Sequence, residues 1–156
     1  MKTSSGILLF KKEKEGLYYF LVHPGGPFWK NKDLGAWSIP KGEIMPDEDL
    51  LERALIEFTE ETGKSVTGEF IELHPVIQKG GKTVYAWALE GDMDTSGLYS
   101  NTLLIEWPPR SGKKLEIPEV DQWKWFVSEE AKQRINAAQI RLIEELEEIV
   151  KANDHQ

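Results

Sequence analysis

Gly42-Glu43-Ile44-Met45-Pro46-Asp47-Glu48-Asp49-Leu50-Leu51-Glu52-Arg53-Ala54-Leu55-Ile56-Glu57-Phe58-Thr59-Glu60-Glu61-Thr62-Gly63-Lys64 is a single run in which three glutamates recur one helical turn apart beside an apolar stripe. Asp47 precedes the periodic part as an N-cap candidate, Glu48 and Asp49 suit the positive end of a helix dipole, and Gly63 offers a stop. The spacing therefore predicts a helix from Asp47 to Thr62. Successive helical residues advance by roughly 100°, so with Glu57 at zero, Glu61 falls near roughly +40° and Glu60 near roughly −60°. Leu51, Ala54, Leu55 and Phe58 gather between about +60° and +160°, the side that can pack on a core. Carboxylates that converge in this way repel each other unless a cation sits between them, and Mg²⁺, hard and oxygen-seeking, suits such a place. Most glutamate-rich helix faces are simply solvated, so the helix by itself does not settle the matter.

Outward from this helix the chain alternates between strand and turn signals. Gly6 to Phe10 and Tyr18 to Val22 read as apolar strands joined by the charged turn Lys11 to Gly16. His23 to Leu34 reads as a loop, and Ala36 to Ile39 as a short strand stopped by Pro40. Val76 to Gln78 and Thr83 to Leu89 flank Lys79-Gly80-Gly81-Lys82, a hairpin signal. Gly91 to Pro118 reads as irregular, Val120 to Phe126 as a last strand, and the chain from Ser128 onward as a helix with Ile135, Ile140, Ile143 and Leu146 on or near one face. Strands on both sides of a central helix, with another helix at the end, imply an α/β (α+β) fold with a mixed sheet between helices.

Bulk composition narrows the classes. The 156 residues make room for one domain, 1–156, and 40% hydrophobic residues with six Trp can build its core. No cysteine is present, which excludes disulfides and thiolate metal sites. Met1 to Phe10 holds only four consecutive apolar residues, too few for a signal sequence or a membrane span, so a cytoplasmic protein without membrane association is expected. A formal net charge of −8 argues against an extended nucleic-acid surface, while a phosphate-bearing small substrate remains compatible if metal ions bridge the like charges. Asp92-Met93-Asp94 imitates a calcium loop, but Leu103 stands where the bidentate Glu belongs, and His23, His74 and His155 show no zinc spacing.

Gly42, Glu48, Glu57, Glu60, Glu61 and Gly63 together resemble, position for position, the motif of the Nudix hydrolase family. That motif runs Gly, five residues, Glu, seven residues, Arg-Glu, apolar, any, Glu-Glu, any, Gly, apolar. Two positions depart from it: Ile56 replaces the Arg and Lys64 the last apolar residue. The resemblance implies an α/β/α sandwich and hydrolysis of a nucleoside diphosphate linked to another moiety. The substrate is then a nucleoside polyphosphate or a dinucleoside polyphosphate. It also implies Mg²⁺ or Mn²⁺ held by Glu57, Glu60 and Glu61, with the Gly42 carbonyl as a further donor and Glu48 as a structural residue. Glu60, Glu61 and, from outside the motif, Glu119 are the candidates for proton transfer, with Asp121 a weaker substitute. Pro40-Lys41-Gly42 is similar to the approach to the motif in family members acting on dinucleoside polyphosphates. Lys41, Arg53 and Trp29 are expected on the substrate side. Phe28 and Trp29 suit base stacking but more often such residues tuck beneath a loop as core. Arg53, at about −40° on the helix, stands where its guanidinium can brace the carboxylates in place of the missing Arg. Because of Ile56, a Nudix-fold nucleotide-binding or sensor module without hydrolysis is the alternative.

Overall fold

The computed structural model describes residues 2–154, so His155 lies outside them. In chain order the elements are β1 (Thr3–Glu13), β2 (Gly16–Pro24), β3 (Lys41–Glu43), α1 (Leu50–Thr62), β4 (Ile71–Glu72), β5 (Val76–Ile77), β6 (Thr83–Glu90), β7 (Thr102–Glu106), β8 (Lys114–Pro118), β9 (Val120–Val127), α2 (Ser128–Arg134) and α3 (Ile140–Asp154). A seven-stranded sheet runs β4-β6-β1-β2-β9, with β3 against β1 and β5 against β6. It is mixed, because β1 and β6 are parallel while β1–β2 and β2–β9 are antiparallel.

The continuous run Ile7-Leu8-Leu9-Phe10 marks β1 as a strand covered on both sides, and all four side chains are buried. Their alternation assigns the two layers. Leu8 and Phe10 join Tyr19, Leu21, Trp37, Ile135 and the α3 residues Leu142, Ile143 and Leu146 on one face. Ile7 and Leu9 join Phe20, Val22, Leu89 and the α1 residues Ala54 and Phe58 on the other. Leu51 and Leu55 pack at the rim of that second cluster, as the helical angles require. Burying a side chain such as Phe58 contributes about 1.5–3 kcal/mol, so α1 is anchored firmly by its apolar stripe. The result is the expected α/β (α+β) sandwich, with α1 on one face of the sheet and α2 and α3 on the other.

Four local expectations change. Asp49, not Asp47, caps α1, its carboxylate accepting the Glu52 N–H at 3.0 Å, while Asp47 sits in the left-handed region at φ 70°. Ala36 to Ile39 is not a strand: Ser38 bridges Val22 and Trp37 bridges Ile135, and the approaching Pro40 has no N–H to extend a ladder. Within the segment Gly91 to Pro118, β7 and β8 form a separate two-stranded sheet with Thr102 opposite Pro118 and Glu106 opposite Lys114. The C-terminal helix is broken, since Ile135 is extended and Asn136 caps a 3₁₀ turn, Ala137–Gln139, before α3. Ile135 leaves the helical path to fill the core beside Trp37, where it is 1% exposed. The β5–β6 hairpin is present, closed by Gln78 N–H to the Lys82 carbonyl at 2.7 Å.

Candidate active site

Gly6 determines how the segment before α1 lies on the sheet. A Cβ there would stand 2.4 Å from the Pro40 carbonyl oxygen and 2.7 Å from the Lys41 Cβ. Its absence lets Pro40 accept the Ile7 N–H at 3.1 Å and lets β3 pair with β1, Gly42 opposite Ser5. Gly42 in turn carries Glu57: a Cβ on Gly42 would sit 2.0 Å from the Glu57 carboxyl carbon. The glycine therefore has a steric role that is visible in the structure, making the berth for a buried carboxylate.

The C-terminal end of α1 is tied down from three directions. Asn101 N–H donates to the Glu60 carbonyl at 2.7 Å, Tyr99 N–H to the Thr62 carbonyl at 3.2 Å, and Trp123 Nε1–H to the Glu61 carbonyl at 2.6 Å. These bonds satisfy carbonyls that a helix end leaves without partners. Glu119 is fixed nearby, because its N–H donates to the Asn101 carbonyl at 2.9 Å and its carbonyl accepts the Gly25 N–H at 3.0 Å. The hairpin β7–β8 is thus bound at its root to both α1 and the start of β9. One oxygen from each of Glu57, Glu60 and Glu119 falls within 4.8 Å of the others. The sequence motif alone groups Glu61 with Glu57 and Glu60; the structure instead gathers Glu119 with those two. Glu61 is buried beside them and lines a cavity of about 110 Å³ with Glu119, Lys41, Ser38 and Val120.

The electrostatics follow from this crowding. Burial, then the charges of Glu60 and Glu119, push the Glu57 carboxyl up to about 7. Burial and the charge of Glu57 raise Glu61 well above the usual range, and burial and Glu60 raise Glu119. Glu57, Glu60 and Glu61 lie in the last two turns of α1, where the helix dipole is negative and no basic residue in the last turn answers it. Burial and the neighbouring Lys82 lower the Lys41 ammonium, while Glu61, Glu43 and Glu57 oppose that shift. Arg53 donates to Glu48 through Nε at 3.0 Å and to Glu57 through Nη1 at 3.4 Å. Glu48 also accepts the Met45 N–H at 2.6 Å, so it joins the loop before α1 to the guanidinium. Ile56 is 44% exposed and makes no such bond.

The donor set fits a hard divalent cation: three carboxylate oxygens converge, and among the described residues no thiol or imidazole joins them. Raised carboxyls bind protons more tightly in the folded than in the unfolded chain. Their contribution to stability is therefore fully present below about pH 4.5 and is lost as pH rises towards 7 and beyond. A cation binds the ionised carboxylates, so the melting temperature is expected to rise on adding Mg²⁺ to EDTA-treated protein, more at pH 8 than at pH 5.5. Thermal melts at both pH values check this, and an equal or larger Mg²⁺ shift at pH 5.5 contradicts it.

The remaining candidates are scattered. Phe28 is 54% exposed, so it is not loop-covered core; its ring meets half-buried Trp29 edge-on at 4.9 Å. Arg110, Lys113 and Lys114 lie at the free end of the β7–β8 hairpin, roughly 17 Å along the strands from Glu119 at about 3.4 Å per residue. Asp121 turns away from the cluster and bonds the His23 ring at 2.7 Å. Glu119 was singled out from its place before the last strand, and it lies beside Glu57 and Glu60, whereas the steric use of Gly42 and the hairpin root at Asn101 carried no sequence signal.

No curated protein sequence matches the chain. Among solved structures, a Caenorhabditis elegans Ap4A hydrolase in a binary complex superposes with TM-score 0.67 at 18% identity, covering 96% of this chain and 98% of that one. The NUDIX domain of Shewanella oneidensis NrtR, complexed with ADP ribose, superposes with TM-score 0.64 at 18% identity over 95% and 87%. The C-terminal domain of mouse MUTYH, solved with human PCNA, gives 0.61 at 18% identity over 97% and 90%. At these identities the likeness is one of fold. The family profile described as NUDIX domain matches residues 2–146, nearly the whole chain, and the chain belongs to the Nudix family.

Proposed function

We propose that the protein hydrolyses a pyrophosphate bond in a nucleoside polyphosphate or dinucleoside polyphosphate, with Mg²⁺ or Mn²⁺ held by Glu57, Glu60 and Glu119. The observation that carries this reading is the convergence of those three carboxylates within 4.8 Å at the closed end of α1. A divalent cation, when bound there, neutralises phosphate charge and makes water more acidic. The chain's own groups supply the rest. Glu61, raised by burial and lining the small cavity with Glu119, is placed to hold a proton taken from water. Lys41 faces the same cavity and offers a cation to a phosphate oxygen. Arg53 and Glu48 hold Glu57 in place, and Gly42, whose carbonyl is the further donor that the family resemblance implies, leaves the space that the Glu57 carboxylate fills. Trp29, half-exposed on its loop, is the surface for a base.

A nucleotide-binding module without turnover is favoured by one observation, the exposed Ile56 where the family has Arg. Arg53 answers it by bonding Glu57 directly. Arg53→Ala is therefore expected to weaken Mg²⁺ binding by roughly 10-fold or more, the usual effect of losing a residue that orients a metal ligand, with a matching fall in turnover at limiting metal. Adding Ile56→Arg, which shares a shallow hollow with Glu60, should restore part of the loss. A Mg²⁺ titration of activity reads this, and an unchanged half-saturation point in Arg53→Ala would return that residue to a plain surface ion pair.

The reaction itself is tested with nucleoside triphosphates, dinucleoside polyphosphates, nucleotide sugars and capped RNA, each with Mg²⁺ and with Mn²⁺. Turnover of a nucleoside diphosphate derivative that stops in EDTA supports hydrolysis. Tight binding without product from any of them supports the binding module.

A further inference from the structure

The chain has a formal net charge of −8, yet one corner gathers cations. On the α2 side of the sheet, away from α1, a cavity of about 250 Å³ is lined by Lys30, Asn31, Lys32, Gln122, Lys124 and Arg134, among others. Lys124 points to this side because its partner on β2 is Leu21, a member of the α2–α3 core, and paired residues share a face.

The loop that supplies Lys30 and Lys32 is fastened. His23, 2% exposed, bonds Asp121 through Nδ1 at 2.7 Å and the Lys32 carbonyl through Nε2 at 2.6 Å. The carbonyl can only accept, so the Nε2–H donates to it. One residue on, Asp33 accepts Trp37 Nε1–H at 2.7 Å and pairs with the Arg134 guanidinium. Asp33 and Asp121 are thereby used. Among the described residues, none of Lys30, Lys32 and Lys124 has a carboxylate within 4.0 Å, although other lysines of this acidic chain do. Aromatic rings position two of them instead: Lys32 Nζ lies 3.4 Å from the Phe28 ring centre and Lys124 Nζ 5.9 Å from that of Trp37.

Three unanswered ammonium groups and two side-chain amides around one fixed cavity make an anion site. We propose that this pocket binds a phosphate group, as a site separate from the carboxylate cluster. Its volume is below the roughly 300–1,000 Å³ that encloses a whole drug-sized ligand, so it takes one phosphate or diphosphate terminus and not a nucleoside. The group is either the far end of a phosphate-rich substrate or a free phosphate.

The test is a titration of inorganic pyrophosphate into ¹⁵N-labelled protein in EDTA. Amide shifts are expected at residues 30–33 and 122–124, with the Trp37 indole N–H, and weaker binding in high salt. Lys30→Ala/Lys32→Ala/Lys124→Ala, all at exposed positions, should bind at least about tenfold more weakly through loss of charge-assisted bonds, while the triple Lys→Arg variant keeps the affinity. Equal binding by the Ala variant, or shifts confined to the surroundings of Glu57 and Glu119, overturns the proposal. Steady-state kinetics then separate the sources. A raised KM for dinucleoside polyphosphates with unchanged kcat in the Ala variant identifies the substrate's far end; an unchanged KM identifies a free phosphate. Because EDTA excludes the divalent cation, the binding result stands or falls independently of hydrolysis.

Discussion

Glu57→Gln is expected to lower kcat with Mg²⁺ by at least about 100-fold, the scale on which loss of a charge-stabilising group acts. The same is expected for Glu60→Gln, and Glu119→Gln should lose turnover more than substrate affinity. Folding should survive in each, and Glu57→Gln should make the metal-free protein more stable at pH 8. The sign follows from its surroundings: burial and two like charges raise the wild-type carboxyl to about 7, so at pH 8 its ionised form opposes folding, and a neutral amide removes that opposition. Activity and metal-free stability therefore move in opposite directions. Near-wild-type rates in all three variants, measured by phosphate release at saturating Mg²⁺, would remove the carboxylates from the chemistry.

Gly42→Ala should be nearly as damaging, for a steric reason. The added methyl would meet the Glu57 carboxyl carbon at 2.0 Å and both its oxygens within 2.4 Å. Backbone φ is not the obstacle, since Gly42 lies on β3 and pairs regularly with Ser5. Glu57 must then swing off its berth and out of the cluster, and a turnover loss of about 100-fold is expected, with far smaller effect from Gly91→Ala, where a Cβ meets only the Leu9 Cδ1 at 3.4 Å. A Gly42→Ala enzyme with normal kcat and normal Mg²⁺ dependence would show that Glu57 is dispensable where it sits.

How much of this was legible beforehand varies with the range of the interaction. The α1 helix, its apolar stripe and its acidic edge follow from spacing within about four turns, and so does the two-faced burial of Ile7 to Phe10. The residue that caps α1 was displaced by two because Asp47, Glu48 and Asp49 are all acceptable by type, and only the left-handed turn at Asp47 decides among them. The β7–β8 hairpin escaped notice because Leu103-Leu104-Ile105 breaks the alternation and seven residues, Trp107 to Lys113, separate the strands. Within the site, Glu57 and Glu60 were readable as neighbours on one helix. That Glu119 joins them while Glu61 turns to the cavity with Lys41 depends on the hydrogen bonds from Asn101 to Glu60 and from Glu119 to Asn101, contacts between distant segments. The loop aromatics were ambiguous for the same reason: exposure of Phe28 is set by what does not cover it.

The most direct measurement is the binding of Mn²⁺ to wild-type protein and to Glu57→Gln, Glu60→Gln and Glu119→Gln, followed by the electron paramagnetic resonance signal of free Mn²⁺, with turnover recorded on the same samples. Wild-type protein should take up Mn²⁺ in step with the appearance of activity, and each variant should bind roughly 10-fold or more weakly with activity falling in parallel. Identical uptake by all four proteins, or full turnover in EDTA, would contradict a cation held by these three carboxylates.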